Sequence, residues 1–202
     1  MIFTRNGVTV RLVGGLWIQT GADALLIDPG PAASGLGSEL AALRAVLLTS
    51  GRMSAVGALP SVLEAAAAWR EVELSVHHLL GEERASYLVE AWQRGWPDRY
   101  PVSLDARPPG DRFDLGAFAV TTRRVGRGDP VVGVSLRGPL KIAWVPAADP
   151  DAPVAAVCRG ADLAVIQVAR GHSPLAAIAA AEGAGLLWLI DEAGEPLDAL
   201  GA

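Results

Sequence analysis

Two five-residue stretches, Ala45–Thr49 (AVLLT) and Leu186–Ile190 (LLWLI), are apolar almost throughout. A strand with one wet face alternates polar and apolar residues. An unbroken apolar run of this length marks a strand covered on both faces. The rest of the chain supplies the covering elements. Short Val-, Leu- and Ile-rich runs at Val8–Leu12, Leu16–Thr20 and Ala24–Ile27 are separated by glycines and read as strands. Asp28-Pro29-Gly30 then forms a turn that leaves a carboxylate at a strand end. Helices are expected at Leu36–Leu43, Gly57–Arg70 and Glu82–Trp92, with a strand at Val72–Val76 and a loop at Ser50–Val56. The second half repeats the scheme, with strands at Phe113–Leu115, Phe118–Arg124, Val131–Leu136, Lys141–Val145 and Leu163–Val168. Helices are expected near Ala152–Val157 and after Ser173-Pro174, where serine suits the N-cap and proline the first helical position. Two blocks of strands, each followed by helices, predict an α/β fold: an αββα four-layer sandwich with AVLLT and LLWLI as central strands. No linker divides the blocks, so residues 1–202 are expected to form a single domain.

Composition removes several function classes. Hydrophobic residues make up 51% of the 202 residues and charged residues 19%, a balance that disordered chains do not reach. Lys and Arg number 17 against 22 Asp and Glu, a net charge of −5. That gives no strong nucleic-acid signal, while a local basic patch stays open. The one cysteine, Cys158, excludes an internal disulfide and a cysteine-cluster metal site. No apolar run approaches the roughly 20 residues of a membrane span. The first residues lack the pattern of a signal peptide, so a cytoplasmic location and no membrane association are expected.

Residues 47–60, LLTSGRMSAVGALP, resemble the metal-binding loop of the metallo-β-lactamase fold superfamily, which typically reads L-L-T-H-x-H-x-D-H-x-G-G-L-P. The frame of strand, Thr, loop, Gly and Leu-Pro matches. Other segments resemble the same family in order: Ala24–Gly30 (ALLIDPG), Gly110–Phe118 (GDRFDLGAF), 127–133 (RGDPVVG) and 160–191, which contains Gly-His-Ser and ends at Asp191. The resemblance implies the αββα fold and a hydrolysis in which one or two zinc ions activate water. It also implies where the ligands would stand. Ser50 and Arg52 occupy the first two histidine positions, Ser54 the aspartate position and Ala55 the third histidine. Arg127, or Gly126 in an alternative alignment, stands at a later histidine and Asp191 at the last, while Ala147 or Ala148 stands at the bridging aspartate and Asp149 falls one or two places late. Asp28 is kept. Zinc needs about four ligands, mainly imidazole nitrogen and carboxylate oxygen, and neither hydroxyl nor guanidinium replaces them.

The resulting expectation is a catalytically degenerate protein of this fold, with no metal centre, no cofactor and no catalytic residue. Its binding residues would be Asp28, Ser50, Arg52, Ser54, Arg127, His172 and Asp191, and its role binding, structural or regulatory. The partner stays open between a small anion, a protein and a second copy of the chain. Two alternatives accompany it: a metal-dependent phosphodiester hydrolase with displaced ligands Asp28, Asp149, Asp191 and His172, and a small-anion or nucleotide binder using Arg52 and Arg127. Without a metal, a buried Asp28 or Asp191 needs a partner, and an arginine fork is the natural one. Ser50 and Ser54 lack a nearby base to make either a nucleophile. His77 and His78 are expected at a strand end in a surface or partly packed role. Cys158 is expected to pack, and Trp92 and Trp96 to lie on amphipathic helices.

Overall fold

The computed structural model describes residues 1–126, 130–147, 153–170 and 172–197. The chain divides into two compact units, one spanning Ile2–Pro108 and the other running from Pro109 onward, with Met1 grouped with the latter.

The first unit holds a seven-stranded sheet whose spatial order follows the chain: β1 (Ile2–Arg5), β2 (Val8–Leu12), β3 (Leu16–Thr20), β4 (Asp23–Ile27), β5 (Leu43–Leu47), β6 (Leu74–Leu79) and β7 (Val102–Arg107). The first four strands form an antiparallel meander. Asn6 and Gly7 turn β1 into β2 with φ of 51° and 75°, the pair of left-handed residues that a two-residue hairpin turn uses. From β4 to β7 the pairing is parallel, so each step needs a crossover. The crossovers are a 3-10 stretch over Pro31–Ala42, then α1 (Met53–Val56) with α2 (Leu59–Ala67), then α3 (Glu83–Gly95). Leu26, Val46, Leu74 and Val76 pack on Leu59, Leu63, Val89 and Trp92 of these helices. Ile18, Leu25, Ile27, Ala45 and Leu47, which point to the opposite face, are buried as well. Burial on both faces explains the apolar run Ala45–Leu47 that ends β5.

The second unit repeats the plan. β8 (Arg112–Leu115), β9 (Phe118–Arg124), β10 (Val132–Arg137) and β11 (Lys141–Val145) form an antiparallel meander, and β12 (Leu163–Gln167) and β13 (Leu186–Ile190) add in parallel. The sheet order is β13-β12-β11-β10-β9-β8. α4 (Val154–Cys158) packs on β10 and β11, close enough that a Cβ at Gly133 would come within 2.9 Å of Val157. α5 (Pro174–Ala180) is capped as its sequence predicts: the Ser173 hydroxyl accepts from the Leu175 N–H at 3.3 Å.

Several expectations need correction. LLWLI is an edge strand rather than a central one, and its first residue, Leu186, is 39% exposed. The AVLLT strand is interior, but it starts at Leu43 and ends at Leu47, leaving Leu48 and Thr49 outside. The segment expected as a helix at Leu36–Leu43 is 3-10 as far as Ala42, broken where Gly37 takes φ 58°, and Leu43 already belongs to β5. Residues 53–56 of the expected loop form α1. β1 and β7 were not anticipated: IFTR and VSLDAR are polar enough at alternate positions to resemble loop. His77 and His78 lie inside β6 and are buried, not at a surface. Trp92 lies on the buried face of α3 as expected, while Trp96 falls just after the helix and is 45% exposed. Cys158 is buried as expected, and burial pushes its thiol up to about 11.

Candidate functional site

Asp28 follows β4 in a left-handed backbone conformation, φ 47°, which Asp and Asn tolerate better than most residues. Its backbone is pressed against the Gly14-Gly15 turn, where a Cβ on Gly15 would sit 2.0 Å from the Asp28 carbonyl oxygen. The side chain is 5% exposed. Its Oδ1 accepts the Thr49 N–H at 2.7 Å, and its Oδ2 accepts the Thr49 hydroxyl. The Asp28 N–H donates to Leu47 O at 3.0 Å. The carboxylate therefore fastens the end of β4 to the chain leaving β5, a brace between two parallel strands.

The loop that follows is closed from the side by the turn before α3. The Glu82 carboxylate lies where a Cβ on Gly51 would fall, 1.7 Å away, so a larger residue there would displace that side chain. Arg84 donates to Gly51 O at 2.8 Å. Ser50 is buried, and its hydroxyl accepts the Arg52 N–H at 3.3 Å, which turns the chain into α1. Arg52 is half-buried at the N-cap of α1. Ser54, the second residue of α1, is exposed, and Ala55 is buried.

β6 and β7 bring together polar residues that the sequence reading did not connect. His77 Nδ1 lies 3.4 Å from Asp105 Oδ2, across paired strands, and Arg107 bonds the same Asp105 oxygen. Burial holds the His77 imidazole below its ordinary value, with Asp105 opposing and Arg107 assisting. On the same face, the Ser103 hydroxyl donates to that of Ser75 at 3.2 Å. The period-two spacing of Ser103, Asp105 and Arg107 is the signal that identifies this face, once VSLDAR is read as a strand. His78 points to the helical side, where its Nε2 meets the Ser86 hydroxyl at 3.3 Å and its Nδ1 lies 3.1 Å from Glu82 O.

The remaining site residues belong to the second unit. Asp191 directly follows β13 and is half-buried. Its Oδ1 accepts the N–H groups of Ala193 and Glu195 at 2.9 and 2.8 Å, so it shapes its own turn. His172 is exposed just before the Ser173 cap. Arg127 and Asp149 lie outside the described residues.

The donors around Thr49 do not fit a zinc ion. Ser50, Arg52, Ser54 and Ala55 offer neither imidazole nor carboxylate, and both Asp28 oxygens already accept from Thr49. Among the described residues, no group of three or more His, Cys, Asp or Glu side chains could hold a metal ion.

No protein-family model matches the sequence, and no curated protein matches it. Solved structures do. The metallo-β-lactamase fold protein YhfI from Bacillus subtilis superposes with a TM-score of 0.66 at 17% identity, over 87% of this chain and 76% of its own. The short form of human tRNase Z gives 0.72 at 15% identity, over 90% and 86%. A diphosphatase from the PhnP family gives 0.64 at 15% identity, over 90% and 75%. At these identities the likeness speaks for the fold alone, and it runs across both units: the chain has the metallo-β-lactamase fold.

Proposed function

We propose that this chain is a metal-free protein of the metallo-β-lactamase fold that acts by binding, in a structural or regulatory role, rather than by metal-assisted hydrolysis. The observation that carries the reading is the state of Asp28. In a hydrolytic centre a carboxylate at this place supports an ion or its ligands. Here each of its oxygens accepts a hydrogen bond from Thr49, beside a loop that presents two serines, an arginine and an alanine in place of imidazole or carboxylate ligands. Residues 1–202 act as one domain in this reading, in the cytoplasm. Among the described residues, no helix is long and apolar enough to cross a membrane.

The test is metal content and turnover of protein purified without chelator. Elemental analysis is expected to find well under one transition-metal ion per chain. Bis-p-nitrophenyl phosphate should not be hydrolysed, with or without added zinc or manganese. Near-stoichiometric zinc, with turnover that a chelator abolishes and Asp28→Ala or Asp191→Ala reduces, would overturn the proposal. That result would favour the hydrolase with displaced ligands Asp28, Asp149, Asp191 and His172, the chemistry named for several proteins of this fold.

A further inference from the structure

We infer that the second unit carries a binding trough for a small anion with two or more phosphate groups. The trough is a cavity of about 600 Å³ over the β8–β11 face that also carries α4, within the range of small-molecule sites. Its floor and walls include Arg112, Arg123, Arg137 and Lys141, with Asp114 as the one acidic residue. The sheet register explains the layout. Thr121 of β9 pairs with Ser135 of β10, placing two short hydroxyl side chains at the centre. Arg112 pairs with Thr121 from the β8 side. Arg123 stands two residues beyond Thr121, and Arg137 two beyond Ser135 in the opposite sense, because the strands are antiparallel. Lys141 pairs with Arg137. Alternate residues of a strand lie about 6.8 Å apart and neighbouring strands about 4.8 Å, so the cations flank the hydroxyl pair on both sides.

Two features turn this arrangement into a site. The guanidinium groups of Arg112, Arg123 and Arg137 make no ion pair among the described residues, and all three side chains are exposed. Like charges gathered at this spacing repel one another, and a multivalent anion relieves that repulsion while accepting from several planar forks. α4 then closes one side with Ala156 and Val157, which makes the patch concave. The net charge of −5 disfavours a long polyanion lying across the surface and favours one small enough to sit inside the trough. None of these residues belongs to the Asp28–Thr49 constellation, so the inference goes beyond the proposed function and does not rest on it.

Isothermal titration with sodium tripolyphosphate tests it. One anion should bind per chain at low salt and weaken as salt rises. Arg112→Ala with Arg137→Ala should weaken binding by about tenfold or more, since each removes a charge-assisted donor. Asp114→Asn should tighten it, and Arg94→Ala, in the first unit, should leave it unchanged. All four positions are exposed, and circular dichroism verifies that the variants fold. ATP run beside tripolyphosphate separates the sources: tighter ATP binding supports a nucleotide, equal binding an inorganic chain, and both support the trough. No heat at millimolar tripolyphosphate, or unchanged affinity in the double variant, would overturn the inference. So would single-stranded RNA that binds through these arginines and is not displaced by tripolyphosphate.

Discussion

The brace between Asp28 and Thr49 can be broken from either end. Thr49→Val keeps the shape and the backbone donor but removes the hydroxyl from a buried carboxylate. We expect a loss of about 1–3 kcal/mol in denaturant unfolding. Asp28→Asn should be milder than Asp28→Ala, because asparagine tolerates the left-handed backbone and still accepts from the Thr49 N–H. Equal losses for the two would mean that backbone conformation contributes nothing here. His77 gives a pH-dependent counterpart. Burial disfavours its charged form in the folded chain, whereas the unfolded chain takes up the proton near the ordinary value of 6.5. Below that value the unfolded state binds more protons, so stability falls as pH drops towards the lower folded value. The slope of unfolding free energy between about pH 7 and about pH 5 should flatten in His77→Leu. An unchanged slope would assign the acid sensitivity to other groups.

Between the elements of the first unit, Arg70 is the joint that sequence reasoning missed. It follows α2, is 5% exposed, and donates to the carbonyls of Leu43, Val72 and Glu73, so it ties the start of β5 to the chain entering β6. Its guanidinium also sits 5.7 Å from the Tyr100 ring, whose hydroxyl donates to Leu63 O at 3.0 Å. Arg70→Met should strand those carbonyls and cost about 2–4 kcal/mol, measured by chemical unfolding. A change within about 0.5 kcal/mol would mean that water replaces the guanidinium freely. Elements whose pattern follows from their own burial were legible in the sequence: β2, β3, β9, β11 and β13 have the expected limits. β1 and β7 were not, because each displays polar side chains on a face where only the neighbouring strand reveals the alternation. The place of β13 at the sheet edge was hidden for a related reason. Leu186–Ile190 is apolar enough for a central strand, and strand order is a property of the crossovers rather than of the run itself. In the site, the serines, arginine and alanine at residues 50–55 could be read directly against the frame around them. The Thr49 partner of Asp28 could not, since nothing in the sequence pattern ties that carboxylate to a threonine 21 residues away.

At the scale of the molecule, the expectation of one domain has a direct measurement. Native-state hydrogen exchange should give β5 and β11 the same opening free energy, and Thr49→Val should lower both together. A difference greater than about 1 kcal/mol, or a loss confined to β5, would mean that the two units unfold independently. The distribution of basic side chains has a practical outcome of its own. Lys141 is the only lysine in the chain. It lies in the trough, with its ammonium donating to the Arg159 carbonyl. Amine-directed acylation therefore has one side-chain target besides the N-terminal amine. A reporter attached there would sit where the inferred anion binds, and a ligand that fills the trough would shield it. Peptide mass mapping of the reacted protein would follow occupancy of the second sheet without any engineered label.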